Sequence, residues 1–444
     1  MRENVDDFSG KNVVCFINDL WSSALSEVRL KAPLQECGFN VIQGNDFGKL
    51  LIDDLSKADF IVIQRDFPIY LDIFFHILKQ IKKYNLPLIY EIDDHLFDLP
   101  QDHPDQQLGC YSSRFTPMLL AICNADMVTA STEPLANFLR AFNSNVHVLQ
   151  NYLIDKYWRL STAKKERNTQ EIVVGYIGGT THAADLEMIV KAFQSIGQQY
   201  GDRVKFKFWG ARPPDETLSH PKVDWQPVVA SYQEYALTFQ SQDIDILVAP
   251  LIDNPFSQSK SHLKFLEYST LGIPGIYSDV TPYRNIVKHG ENGFLASSVE
   301  EWVDCLQKLI SSPDLRYRMS QNALDTVKRN WLLSENAYRW SQLYNNVQSR
   351  TLKSQVPLDG VSLTRDDVLY KIFSLQSDQI GKLVKKERLL EEKEQLLETK
   401  ERLLQEKDWM FHEIINSSSW KMTSPFRWLA HEVRKLKQKI FPQK

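Results

Sequence analysis

Residues 171–179 read EIVVGYIGG, a β-branched run that ends on two glycines and passes through TTHAADL into a longer amphipathic stretch. A strand that feeds a helix this way needs a crossover to reach its next parallel neighbour, so the segment predicts the first strand of a parallel α/β unit. Just before it, residues 160–170 are polar and basic with no apolar period, which marks a hinge. Upstream of that hinge the same alternation is already present. Strands are predicted at 12–17, 40–42, 60–64, 87–91, 127–130 and 146–149. Helices lie between them, such as 69–84, where Ile73, Ile77 and Ile81 recur at i+4, and 133–142, with Pro134 just inside its start. Downstream, strands are predicted at 204–208, 244–248, 275–278 and 293–295, and helices at 185–200, 231–240, 260–271, 299–310, 314–330 and 334–347. The expected fold class is α/β, with two Rossmann-like domains at 11–160 and 171–330 facing a cleft, because open parallel sheets place ligands at the carboxyl ends of their strands.

The chain has 444 residues, a length that predicts about three structural units. With 43% hydrophobic and 24% charged residues it lies far from the composition of disorder. A net charge of −4 excludes a bulk field for nucleic acid, so charge has to be read regionally. Cys15, Cys37, Cys110, Cys123 and Cys305 are scattered and odd in number, with no CxxC, which argues against a disulfide framework or a structural zinc and predicts a reducing, cytoplasmic setting. The N-terminus has no apolar core for a leader, and the most apolar window, 59–81, is interrupted by Arg65, Asp66 and Asp72; no membrane span is expected. Neither GxGxxG nor GxxxxGK[ST] occurs, so a bound nucleotide needs another device.

The richest window is 254–279, NPFSQSKSHLKFLEYSTLGIPGIYSD. On a helix starting near Ser259, Lys260, Lys264 and Glu267 share one face, whereas Leu263 and Leu266 point to another. Unpaired backbone N–H groups from Lys260 through Ser261 and His262 to Leu263, the helix dipole and two ammonium groups would suit a diphosphate, and Glu267 could accept from both ribose hydroxyls. A merely solvated, ion-paired helix face is the competing reading.

This window resembles the nucleotide-sugar site of group 1, family 4 glycosyltransferases of GT-B fold, in which two glutamates spaced by seven residues precede a Gly-x-Pro strand entry. Glu267 matches the second glutamate, and Leu271-Gly272-Ile273-Pro274 matches the strand entry; the first glutamate falls on Ser259, a departure that bears on sugar binding. The resemblance spans about residues 11–347. It implies a helix at 331–350 that crosses back to the N-terminal, acceptor-side domain, with nucleotide-sugar bound by the C-terminal one. It further implies a retaining, metal-independent transfer with no cofactor beyond the substrate itself, onto a glycan or lipid-linked acceptor in bacterial surface-polysaccharide synthesis. Within it, Gly179, Thr180 and His182 of GYIGGTTHAADL are assigned to the donor cleft, against a plain strand-to-helix turn; Arg212 is the candidate for one of the family's missing basic residues. In YEIDDHLFDLPQDHP, residues 90–104, Asp93 or Asp94 is expected to orient the acceptor hydroxyl, with His95 nearby. A metal site is the rival, but Asp-Asp-His supplies at most two well-placed ligands and no third is evident. Arg29 and Arg65 are candidates to face the acceptor side. The alternatives are a non-catalytic GT-B scaffold and a nucleotide-sugar epimerase of the same fold.

Two C-terminal features complete the reading. ERLLEEK, EQLLETK and ERLLQEK repeat every seven residues within a predicted helix at 379–412, either a coiled coil with a half-charged seam, joining a partner or a second copy, or a solvated spacer. The segment 417–444 interleaves Lys421, Arg427, Arg434, Lys435, Lys437 and Lys439 with Trp420, Phe426 and Trp428. That pattern suits peripheral contact with an anionic membrane or docking on the protein's own acidic surface, ahead of nucleic acid.

Overall fold

The computed structural model describes residues 10–46, 49–52, 54–69, 71–160, 171–218, 220, 222–227 and 231–347, with further helical positions at Lys393, Lys400, Val433, Lys435, Leu436 and Lys437. The heptad segment and basic tail therefore lie outside the described residues, apart from those six positions.

Two six-stranded parallel sheets form the frame. The first holds β1 (Asn12–Phe16), β2 (Asn40–Gln43), β3 (Phe60–Gln64), β4 (Leu88–Ile92), β5 (Met127–Ala130) and β6 (Val146–Val148), in the order β2-β1-β3-β4-β5-β6. Strands β3 (FIVIQ) and β4 (LIYEI) are buried throughout, as near-continuous apolar runs must be when helices cover both faces. The edge strand β2 is half exposed. The second sheet holds β7 (Ile172–Gly178), β8 (Val204–Gly210), β9 (Val223–Gln226), β10 (Ile246–Ala249), β11 (Gly275–Ser278) and β12 (Phe294–Ala296), ordered β9-β8-β7-β10-β11-β12. Its registers run in parallel from Ile172↔Val204 to Gly178↔Gly210. The edge strand β9, VDWQ, carries too little apolar pattern to be read from sequence.

In the second sheet the order reverses at β7 and β10, so the crevice for a ligand opens beyond their carboxyl ends. The helix Val299–Ser311 braces this sheet from outside; a capping box of Ser298 and Glu301 starts it, and Trp302, Leu306 and Leu309 bury its inner face. After the helix Pro313–Asn330 the chain returns to the first sheet. Leu153 N–H donates to the Trp331 carbonyl at 2.9 Å, and Leu333 N–H to that of Leu153 at 2.8 Å. The helices Leu333–Asn336 and Tyr338–Asn345 follow. Tyr344, fully buried, sets its ring 6.0 Å from Phe39 and 6.2 Å from Phe60. No described helix is long and apolar enough to cross a membrane.

Candidate active site between the two sheets

Each sheet sends its polar groups out where its strands end. Just past β3, Arg65 adopts a left-handed backbone with φ 50°, uncommon for a residue with a side chain. Its N–H donates to the Glu91 carbonyl at 2.8 Å, and its own carbonyl accepts from the Tyr90 hydroxyl at 2.5 Å, which together hold that conformation. The guanidinium is thereby aimed at the loop after β4, 3.3 Å from Asp93 and 3.9 Å from Asp94.

These neighbouring carboxylates are driven apart. Burial, stronger than the pull of Arg65, pushes Asp93 up to about 7. Burial also acts on Asp94, but the charges of Lys260, Arg65, His182 and His103 outweigh it and hold the group below the usual carboxylate range. One proton-holding and one ionised carboxyl side by side is an arrangement suited to contacting a hydroxyl.

Facing them, β7 ends at Gly178. A Cβ there would lie 2.1 Å from the Tyr176 hydroxyl and 3.0 Å from Lys264 Nζ, so only glycine admits both side chains. Gly179 opens the short 3₁₀ turn Thr180–His182. His182 Nδ1 is 2.6 Å from Asp185 Oδ2, while Asp185 Oδ1 accepts from Ile252 N–H at 2.8 Å. Burial first, then the charge of Lys264, depresses His182 to about 4.

The window read as one helix from Ser259 is two. Asn254 caps a short helix, Pro255–Gln258, which ends at Ser259; a second, Leu263–Thr270, starts after His262. The N–H of Lys260 donates to the Ser257 carbonyl at 3.1 Å, so it is not among the unpaired donors. The ammonium of Lys260 lies 3.7 Å from Asp94 and 4.3 Å above the Phe256 ring, spanning the crevice. Lys264 Nζ sits 4.7 Å above the Tyr176 ring and 3.4 Å from its hydroxyl. Burial brings Lys264 down to about 8. Glu267, 5% exposed, accepts from Tyr232 at one oxygen and Tyr235 at the other, both at 3.0 Å. Burial, stronger than those two bonds, raises it to about 7.

Several candidates are placed elsewhere. Arg29, 1% exposed, donates to Glu91 at 2.7 Å, to the Leu149 carbonyl at 2.6 Å and to Asn151 at 2.7 Å; it is a buried cross-link and not an acceptor contact. His95 packs its ring 4.3 Å from that of Phe138, in an aromatic wall. His262 is buried against Trp331, rings 4.2 Å apart, and burial lowers it to about 4. Leu263 packs on the apolar core, and Ser261 Oγ accepts from Asn151 at 2.7 Å. Arg212 is two-thirds exposed and paired with Asp215 at 3.0 Å. Ser259, where the resemblance expects a carboxylate, turns its hydroxyl to the Pro255 carbonyl at 3.1 Å, while its own carbonyl accepts from Thr132 at 2.7 Å.

Sequence reasoning missed Asp185, although the spacing His182-x-x-Asp185 signals such a pair. It also missed Tyr176, Tyr232 and Tyr235, which no local pattern separates from core tyrosines. Among the described residues no group of three His, Cys, Asp or Glu side chains could hold a metal ion.

Known proteins match along these boundaries. Residues 171–312 match the family model described as "Glycosyl transferases group 1". A curated Xenopus tropicalis protein, "Glycosyltransferase 1 domain-containing protein 1", is 30% identical over 91 residues, 20% of this chain; the match spans about a quarter (26%) of that relative. Among solved structures, sucrose-phosphate synthase from Thermosynechococcus elongatus aligns with a TM-score of 0.53 at 13% identity, covering 76% of this chain and 98% of that one. Anabaena HepE in complex with UDP-glucose aligns at 0.53 and 12% identity, covering 75% and 99%. At such identities the likeness concerns the fold. Over residues 171–312 the chain thus matches the group 1 glycosyl transferases, and its two sheets form the GT-B fold of these neighbours.

Proposed function

We propose that this protein is a glycosyltransferase that takes a sugar from a nucleoside-diphosphate sugar held by the second lobe and passes it to an acceptor hydroxyl held at Asp93 and Asp94. One observation carries the reading: Lys264 sits half-buried over Tyr176 at the end of β7, beside Lys260, which reaches across to Asp94. A buried ammonium without an anion is costly. A diphosphate would hold Lys264 charged, and as the sugar–phosphate bond breaks, the charge growing on the leaving diphosphate would meet two cations fixed in advance. In this reading the lysines, rather than a metal ion, serve the diphosphate, and the transfer is of the retaining type. Glu267, oriented by Tyr232 and Tyr235, keeps lone pairs for the ribose hydroxyls. The neighbour solved with UDP-glucose supports a nucleotide-sugar donor. The acceptor class, a glycan or lipid-linked sugar of surface-polysaccharide synthesis, rests on the resemblance together with the heptads and basic tail, a peripheral membrane location on that tail, and the EC 2.4 hexosyltransferase class on the resemblance alone.

The test is release of UDP or GDP from a panel of nucleotide sugars with the full chain. Lys264→Ala is expected to lower kcat/KM by about 100-fold or more, the usual cost of one fixed charge stabiliser. No release or transfer with any donor would favour the scaffold, and product formation without an acceptor would favour an epimerase.

A further inference from the structure

The pair His182 and Asp185 has no role in the transfer just described. Asp185 is held below the usual carboxylate range: burial opposes this, but the contact with His182 and the Ile252 N–H outweigh it. It is therefore ionised and accepts at both oxygens. The 2.6 Å contact then has one polarity, Nδ1–H of His182 donating to Asp185 Oδ2. In the neutral ring this leaves Nε2 without a proton, a lone pair that meets no donor among the described residues. Asp185 is itself fixed, because Oδ1 accepts from Ile252 N–H just past β10. Backbone, carboxylate and imidazole thus form a rigid chain that starts beside the strand at the sheet's reversal point. The ring flanks the turn past β7 together with Lys264: a Cβ on Gly179 would come 4.0 Å from its Cδ2, and one on the adjacent Gly178 would come 3.0 Å from Lys264 Nζ. The charges of Lys264 and Lys260 act on it, and it in turn acts on Asp94.

We infer that His182, locked by Asp185 in the Nδ1–H tautomer, accepts a hydrogen bond from a hydroxyl of the transferred sugar and so selects among donor sugars. The inference rests on the nucleotide-sugar reading of this cleft. Two cations nearby suit a phosphate, which has no proton to give; a lone pair suits a hydroxyl, which has. His182 is accordingly assigned to the sugar and the lysines to the diphosphate. Asp185 is a positioning residue that acts through the histidine.

The polarity provides the test. Asp185→Asn keeps an oxygen for Ile252 N–H but presents an amide N–H to Nδ1, which moves the ring proton to Nε2 and turns an acceptor into a donor. Nitrogen-15 NMR of the imidazole is expected to show the Nδ1–H form in the full-length protein and the Nε2–H form in Asp185→Asn. Binding is then measured for UDP, UDP-glucose and UDP-glucose analogues carrying fluorine in place of each sugar hydroxyl in turn. UDP-glucose affinity is expected to fall by about tenfold in both His182→Ala and Asp185→Asn, with UDP affinity unchanged. One fluoro analogue should bind the unmodified protein as weakly as the variants, which should no longer distinguish it from UDP-glucose. An equal loss for UDP and UDP-glucose would place His182 on the diphosphate and overturn the inference while leaving the donor reading intact. An Nε2–H tautomer in the unmodified protein would overturn it as well. Failure of any nucleotide to bind would remove the donor reading and this inference with it.

Discussion

Glu267 shows how one residue changes meaning between sequence and structure. The heptad-like spacing from Lys260 places it on a polar stripe, yet it is buried beneath two tyrosines that both donate to it. Its carboxyl rises from an ordinary 4.5 to about 7 through burial, so between those values the folded protein holds a proton that the unfolded chain has shed. The stability from this group is complete below about pH 4.5 and is lost as pH climbs through 7. At 1.36 kcal/mol per unit the loss is roughly 3 kcal/mol. In thermal melts from pH 5 to 8, the unmodified protein is expected to lose stability relative to Glu267→Gln; parallel curves would show that the carboxyl does not titrate in this range. Arg29 makes the converse point. Nothing local distinguishes it from a cleft arginine, and its role as a buried cross-link depends on Glu91, Leu149 and Asn151, which lie 62 to 122 residues away in sequence.

At the scale of elements, the strand-to-helix turn after β7 separates two glycines that read alike. A Cβ on Gly178 would meet the Tyr176 hydroxyl at 2.1 Å, whereas one on Gly179 finds nothing nearer than 3.9 Å. Gly178→Ala is therefore expected to cost about 1–3 kcal/mol in urea unfolding and to displace Lys264, weakening UDP binding. Gly179→Ala should leave both nearly unchanged. Comparable losses in the two variants would mean that the crowding is relieved without effect. Sequence reading assigns Gly179 to the donor cleft; that the crowding falls on Gly178 could not be read there, because close approach to Tyr176 and Lys264 is a property of the packed lobe. The helix boundary at Leu263 was missed for a related reason. The run SQSKSHLKFLEY is continuous in helical pattern, and what breaks it is the burial of His262 on Trp331 together with the bond from Asn151 to Ser261. Both partners come from outside the second sheet.

For the whole molecule, the crevice depends on the return of the chain to the first sheet. Tyr344 closes that return by filling the space between Phe39 and Phe60. Tyr344→Ala is expected to cost about 3–5 kcal/mol, the scale of an emptied aromatic site, and to lower the thermal midpoint although the residue lies outside the site. A midpoint within a degree of the unmodified protein would show that the returning helices contribute little to the core. The sequence alone determined the α/β class, most strand positions and the polar window at 254–279, because hydrophobic period and glycine placement act over a few residues. The tertiary structure decided which polar groups meet: Lys260 with Asp94, His182 with Asp185, Arg29 with Glu91. An ion pair or a burial shift needs two segments brought within a few ångströms and shielded from water, and two of these three pairs join residues too far apart in the chain for any local pattern to record.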